Sequence, residues 1–327
     1  MKIAVYEMRE DEREKLNQLE TELDVQLVTT EKTLNSDTID LAVGCQGVTT
    51  LGQSVMNRKM MALLKEKGIQ YYSTRSIGYN HVDLNAAQEY GIFVSNASYP
   101  PNAVADYTVM LILMALRKYK PAMWRQQVND YSLGGLIGRN LRDMTVGIVG
   151  TGRIGRTVIE NLSGFGCRIL AYDIYPSDAV KAYAAYTDMD TIYHECDIIA
   201  LHTPLLDSTY HMINKRTIAK MKQGVILVNC ARGELMDIAE VIAGIESEKI
   251  GSVALDVIEN ENGIYHYDRR CDILKNRDMA YLRQFPNVIM TQHMAFYTKE
   301  SVDSMVQCGI KSLVAFSKGE DDPNRIC

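Results

Sequence analysis

The chain is short of basic charge, of long apolar runs and of paired cysteines, and each shortage closes off a class of function. Its 35 Lys and Arg are outnumbered by 41 Asp and Glu, for a formal net charge of −6 and a pI near 5.6. Nucleic-acid binding needs a basic face, so no nucleic-acid partner is expected. The longest apolar run, residues 107–116, is about half the length of a membrane span and reads as a buried helix. The opening MKIAVYEMREDEREK turns charged where a secretory leader would need its apolar stretch. Seven cysteines are scattered without a C-x-x-C pair, and their number is odd. That pattern reads as reduced thiols in a cytoplasmic protein and speaks against a structural zinc site.

What is present is the balance of a soluble globular protein, with 46% hydrophobic and 23% charged residues. A chain of 327 residues exceeds one ordinary core, so two domains are expected. Short β-branched runs alternate with longer helical patterns: KIAVYEM, DVQLVTT, LAVGCQG, IQYYSTRS and IFVSNAS, then TVGIVG, RILAYD, DIIALH, GVILVNC, SVALDV and NVIMT. Apolar strands alternating with helices imply parallel sheets covered on both faces, so the expected fold class is α/β with two doubly wound, Rossmann-like domains. The break falls near Tyr99-Pro100-Pro101, before a helical pattern running from Asn102 to Lys120. The last helical pattern, residues 299–318, returns to the first domain. The expected domains are therefore 1–98 plus 297–327, and 99–296.

The most specific motif lies in TVGIVGTGRIGRTVIENLSGFGCRILAYD. A strand runs into Gly150-Thr151-Gly152-Arg153-Ile154-Gly155, a helix follows, and a second strand ends at Asp173. Gly150 allows the tight turn, Gly152 lets a pyrophosphate approach the backbone, and Gly155 lets helix and strand pack closely. The helix N-terminus offers free N–H groups and a positive dipole end to phosphates. Asp173 can accept hydrogen bonds from the adenosine ribose hydroxyls and would repel a 2′-phosphate, which favours NAD over NADP.

Ligands of a doubly wound sheet sit beyond the carboxyl ends of its strands. There the chain places Arg232 after GVILVNC, Asp256, Glu259 and Glu261 around the end of SVALDV, and His293 after NVIMTQ. Carboxylates crowded at a strand end repel one another. On their own they could be metal ligands, acid–base groups or a solvated loop.

The segments VGIVGTGRIG, HTPL, MKQGVILVNCARGELMD, ALDVIENE, TQHMAFYT, STRSIGYNHVDLNAA and YPPNAVADYT resemble the D-isomer-specific 2-hydroxyacid dehydrogenase family, and within it the D-lactate and aryl-lactate (phenyllactate) dehydrogenases of anaerobic bacteria. The resemblance covers nearly the whole chain. It implies an NAD-dependent oxidoreductase with its active site in the cleft between two domains, commonly a homodimer formed through the NAD-binding domains. It makes Arg232 the binder of the substrate carboxylate, His293 the acid/base and Glu261 its partner, with no metal. A guanidinium can grip a carboxylate in two parallel hydrogen bonds, and an imidazole backed by a carboxylate can pass a proton to the nascent alkoxide. The resemblance further assigns Asp256 to the nicotinamide end of the cofactor. It gives Thr203, Pro204, Cys230 and Ala231 backbone contact with NAD, and gives Ile77 and Gly78 N–H groups for the substrate carboxylate. Cys230 reads as a small wall residue rather than a reactive thiol, and Glu259 as structural or solvated.

Two departures from the family pattern are Gln292 before His293 and Pro100 after Tyr99. D-lactate dehydrogenases of the family commonly carry a tryptophan before IGR, where this chain has Leu133-Gly134-Gly135. Loss of an indole there would open the pocket, with Leu133, Tyr99, Phe296 and Tyr297 as walls. The expected substrate is therefore an aromatic or bulky 2-oxo acid (phenylpyruvate, 4-hydroxyphenylpyruvate, indolepyruvate), with pyruvate as the alternative. Formate dehydrogenases place Gln where Glu261 stands. An NAD-sensing co-repressor, which shares the fold and triad, would normally add terminal segments with partner motifs, and none is visible.

Overall fold

The computed structural model describes residues 1–327, which divide into two compact units, Met1–Pro100 with Tyr297–Cys327, and Pro101–Phe296. Tyr99 and Pro100 thus stay with the first unit, two residues beyond the expected break. The first unit contains β1 (Lys2–Val5), β2 (Gln26–Thr29), β3 (Gly47–Thr50), β4 (Tyr71–Thr74) and β5 (Phe93–Ser95). The second contains β6 (Thr145–Val149), β7 (Arg168–Tyr172), β8 (Ala185–Tyr186), β9 (Ile198–Leu201), β10 (Val225–Asn229), β11 (Ile250–Leu255) and β12 (Val288–Met290). The sheet orders are β2-β1-β3-β4-β5 and β12-β11-β10-β9-β6-β7-β8. Every ladder is parallel. Both are doubly wound orders. In the larger sheet the winding reverses between β6 and β9, where the outgoing loops part and leave a crevice.

The strands read as unbroken apolar runs because their period of two feeds two cores at once. On one face Ile148, Ile198, Ala200, Ile226, Val228 and Ala254 meet helices Asn102–Leu116 and Arg153–Ser163. On the other, Val149, Ile199, Leu201, Leu227, Val253 and Leu255 meet helices that include Ile238–Glu246 and Arg277–Leu282. The first sheet is built alike. Ile3 and Val5 pack with Val302, Val306, Ile310 and Leu313 of the helix Lys299–Lys318, so the C-terminal segment completes the N-terminal core. A Cβ on Gly309 of that helix would come within 2.8 Å of Arg75 Cγ. Arg75 is itself fully buried and pairs with Glu12 at 2.9 and 3.1 Å.

Three elements differ from the sequence expectation. LAVGCQG is not a strand: residues Ile39–Ala42 form a 3-10 turn, Gly44 sits at φ +79°, and pairing begins only at Gly47. The helical pattern from 102 to 120 ends at Leu116, with Lys118 at φ +49° before a second helix, Tyr119–Gln126. Pro121 explains the break, since in a continuous helix its ring would strike the carbonyl of Arg117, whereas the first turn of a new helix tolerates it. The two-residue strand β8 carries no apolar run long enough to be seen. No helix is long and apolar enough to cross a membrane.

Candidate active site and nucleotide crevice

The glycine loop follows β6 at the switch point. Gly150 has φ +94°, and a Cβ there would lie 2.6 Å from the His202 carbonyl oxygen. A Cβ on Gly155 would come within 1.9 Å of the Gly150 oxygen, so helix and loop touch backbone to backbone. Gly152 differs: nothing lies within 4 Å of its Cβ position, and it caps helix Arg153–Ser163 without a side-chain hydrogen bond. An open glycine at an uncapped helix start is where a pyrophosphate fits. Arg153 and Ile154 open this helix. Asp173, next after β7, accepts hydrogen bonds from Thr151 N at 2.6 Å, Thr151 Oγ1 at 3.1 Å and Tyr175 N at 2.9 Å. The acid expected at the ribose therefore also shapes the glycine loop. Across the crevice, after β9, come His202, Thr203 and Pro204. Burial pushes the His202 imidazole down to about 4, and its Nε2 has no hydrogen-bond partner.

Arg232, Glu261 and His293 leave β10, β11 and β12, three neighbouring strands. Arg232 is half-buried and has no carboxylate within ion-pair distance; its Nη1 donates to the Ala231 carbonyl at 2.6 Å. Asn229 Nδ2 donates to the Arg232 carbonyl at 2.7 Å and fixes its backbone. His293 sits at φ +52°, with Nδ1 2.5 Å from Glu261 Oε1. The second carboxylate oxygen of Glu261 accepts from Ile258 N at 2.9 Å. An ionised carboxylate can only accept, so Nδ1 carries the proton of this bond and Nε2 is left for other chemistry.

Asp256 is 1% exposed. Its Oδ1 accepts from Thr291 Oγ1 at 2.7 Å and Met294 N at 2.9 Å, and its Oδ2 from Ala295 N at 2.8 Å. Its carbonyl also accepts from His293 N at 2.7 Å. A carboxylate offers about four acceptor positions, so three are committed to the loop bearing His293. The contact to the nicotinamide end expected from the sequence is thereby limited to a single further bond. Cys230 sits nearby, its thiol pushed up to about 12 by burial and then by the Asp256 charge, which is the behaviour of an inert wall residue. In the first unit, the Ile77 carbonyl accepts from Asn96 Nδ2 at 2.9 Å and the Gly78 carbonyl from Ser76 Oγ at 2.7 Å. The N–H groups of Ile77 and Gly78 donate to no backbone carbonyl of the chain. No group of three or more His, Cys, Asp or Glu side chains is arranged to hold a metal.

Residues 109–295 match the family model for the NAD binding domain of D-isomer specific 2-hydroxyacid dehydrogenases. The chain belongs to the D-isomer-specific 2-hydroxyacid dehydrogenase family. It is 42% identical to an aromatic 2-oxoacid reductase of Clostridium sporogenes over 100% of both chains. It is 35% identical to the D-lactate dehydrogenase of Escherichia coli, again over 100% of each chain. Among solved structures, the NAD-complexed D-isomer specific 2-hydroxyacid dehydrogenase of Lactobacillus delbrueckii ssp. bulgaricus superposes with a TM-score of 0.85 at 32% identity, covering 100% of both chains. NAD is the cofactor of this dehydrogenase, and the open Gly152 and uncapped helix start fit it.

The remaining residues expected from the sequence divide between the units. Phe296 belongs with His293, ring centroids 6.4 Å apart. Tyr99 and Tyr297 belong to the first unit, where Arg9 lies 5.1 Å from the Tyr297 ring. Leu133, expected as a pocket wall, belongs to the second unit. It is 83% exposed, because Arg125 Nη1 donates to the Gly134 carbonyl at 2.6 Å and Lys118 Nζ to the Gly135 carbonyl at 3.0 Å, turning the loop outward. Two histidines escaped sequence reading. His266 donates from Nε2 to the His293 carbonyl at 3.0 Å, and its ring is 6.1 Å from that of His293. His211 lies 2.6 Å from Glu259. Neither carries a motif, and only proximity in the fold reveals them.

Proposed function

We propose that this dehydrogenase reduces an aromatic 2-oxo acid to the D-2-hydroxy acid with NADH. The observation that carries the reading is the 2.5 Å His293–Glu261 bond on strand ends adjoining an arginine that lacks a counter-ion. Arg232 takes the substrate carboxylate in a bidentate grip and presents one face of the ketone. Bound NADH supplies the hydride that reaches C2. As negative charge builds on the ketone oxygen, His293 gives it a proton from Nε2, a contribution of about 10²–10⁴-fold. Glu261 holds the ring and stabilises its charged form before transfer, and Asp256 holds the loop. In the first unit, the Ile77 and Gly78 amides are a further place to hold a carboxylate. Thr203, Pro204, Cys230 and Ala231, at the ends of β9 and β10, are the cofactor-contact residues of this reading.

The aromatic preference is supported by the 42% identity to the Clostridium sporogenes reductase and by Phe296 beside the reacting imidazole. Pyruvate is the second reading, favoured by the 35% identity to the Escherichia coli lactate enzyme. A kcat/KM panel with NADH against pyruvate, phenylpyruvate, 4-hydroxyphenylpyruvate and indolepyruvate separates them. An aromatic substrate should lead pyruvate by at least about tenfold, which needs only about 1.4 kcal/mol, and a lead for pyruvate rejects the aromatic reading. The same reading makes the protein a homodimer. Trp124, Val128, Tyr131, Leu133 and Ile137 are exposed along one segment of the second unit, an apolar surface that a second copy would cover. Sedimentation of the purified protein tests this, a monomer at micromolar concentration being the contrary result.

A further inference from the structure

Glu259 precedes Glu261 by two residues, and the two carboxylates have separate imidazoles. Glu259 Oε1 lies 2.6 Å from His211 Nε2, while Glu261 takes His293. The other His211 nitrogen faces Asp237 Oδ2 at 3.8 Å, and the Tyr210 ring stacks on the imidazole at 4.0 Å. The pair is largely shielded, with 27% and 19% of the two side chains exposed, so its charge-assisted bond is stronger than a surface pair.

The backbone of His211 is bound elsewhere. Its N–H donates to the Glu234 carbonyl at 2.9 Å, and Ile213 and Leu235 continue the link at 3.0 Å. Glu234 stands two residues after Arg232. His211 therefore holds the Arg232 loop with its main chain and the Glu261 loop with its side chain. The loops also touch directly: a Cβ on Gly233 would lie 2.1 Å from Ile258 C and 2.4 Å from Glu259 N. Backbone pressed on backbone sets a separation but leaves the loops able to slide. A directional hydrogen bond removes that freedom.

We propose that His211 and Glu259 are a positioning pair that fixes the register of the Glu261 loop against the Arg232 loop, and through Glu261 the aim of His293. The inference rests on the reading of Arg232, Glu261 and His293 given above. It also accounts for two acids being kept at one strand end, since each is hydrogen-bonded to its own histidine.

The test uses the full-length holoenzyme with His211→Leu, Glu259→Leu, the double variant and Glu259→Gln, which keeps an acceptor oxygen. With NADH and phenylpyruvate, each leucine variant should lose on the order of 10–100-fold in kcat/KM, as a misaimed catalytic group does. The double variant should lose no more than either single one, because the pair acts as a unit. Glu259→Gln should stay within about threefold, with NADH affinity by fluorescence within about twofold throughout. Proton NMR of the protein without substrate gives a readout independent of turnover. The far-downfield signal of the His293 Nδ1–H bond should move or broaden in the leucine variants and persist in Glu259→Gln. If the leucine variants do not fold, His211→Asn and Glu259→Thr, too short to reach one another, replace them with the same expectations. Leucine variants with wild-type kinetics and an unmoved signal overturn the proposal, as do losses that add in the double variant. If the wild type turns over no 2-oxo acid, the functional reading fails, while the NMR signal still decides the pair.

Discussion

Asp256→Asn replaces one oxygen by an amide nitrogen and asks how the His293 loop is held. The side chain is 1% exposed and accepts bonds of 2.7, 2.9 and 2.8 Å from Thr291 Oγ1, Met294 N and Ala295 N. With the amide oxygen toward Thr291 and Met294, the amide NH2 opposes the Ala295 N–H. Flipped, it opposes the Met294 N–H. Either way a backbone donor is left unmatched, and a charge-assisted bond becomes a neutral one. Losing such a bond and orphaning a buried donor costs about 2–4 kcal/mol. His293 sits in a left-handed conformation at φ +52° that the surrounding bonds must enforce, so the loop is expected to relax away from it. A displacement of about 1 Å in a proton donor can cost on the order of 10²-fold. Steady-state kinetics with NADH and phenylpyruvate should therefore show kcat/KM down by about that factor, with most of the loss in kcat. NADH affinity, measured by fluorescence, should fall by less than about tenfold, since at most one acceptor position remains for the cofactor. Wild-type kcat in this variant would refute the loop-holding argument. A loss confined to NADH affinity would return Asp256 to a pure cofactor contact.

Three further perturbations follow from the same geometry. Arg232→Lys keeps the charge but not the planar fork, and should cost on the order of 10³ in kcat/KM; a variant retaining a third of wild-type activity removes Arg232 from substrate binding. Asp173→Ala removes the charge that repels a 2′-phosphate and also frees Thr151, bound at 2.6 Å. The NADPH-to-NADH ratio of kcat/KM should rise while NADH affinity falls, and an unchanged ratio contradicts the assignment. His202 is held at about 4 by burial, below its unfolded value of about 6.5. The native state then binds fewer protons than the unfolded chain between these values. Its stabilising contribution is full above about pH 6.5 and is lost as pH falls through about 4. Urea unfolding from pH 7 to 4 should decline less steeply in His202→Phe than in wild type, and parallel curves reject the buried neutral imidazole.

Features written in local order were legible in the sequence. The glycine loop, with strand before, helix after and Asp173 at the end of the next strand, is one contiguous segment. The unbroken apolar runs of β6, β9, β10 and β11 announce sheets buried on both faces. The register of β3 was not legible, because the apolar residues of LAVGCQG precede Gly44, whose φ of +79° only the fold displays. The exposure of Leu133 was not legible, because the loop's direction depends on Arg125 and Lys118 reaching back to its carbonyls, a tertiary matter. The partner of Glu259 is 48 residues away in sequence, and His266 is 27 residues from His293. Pairings at such separations leave no periodicity to read.

The most direct measurement is the configuration of the product formed from phenylpyruvate and NADH, resolved by chiral chromatography. If Arg232 fixes one ketone face and His293 protonates the oxygen as hydride arrives, all product should be D-phenyllactate, one NADH being oxidised for each molecule formed. A racemic or L product, or none from any 2-oxo acid in the panel, would contradict the account.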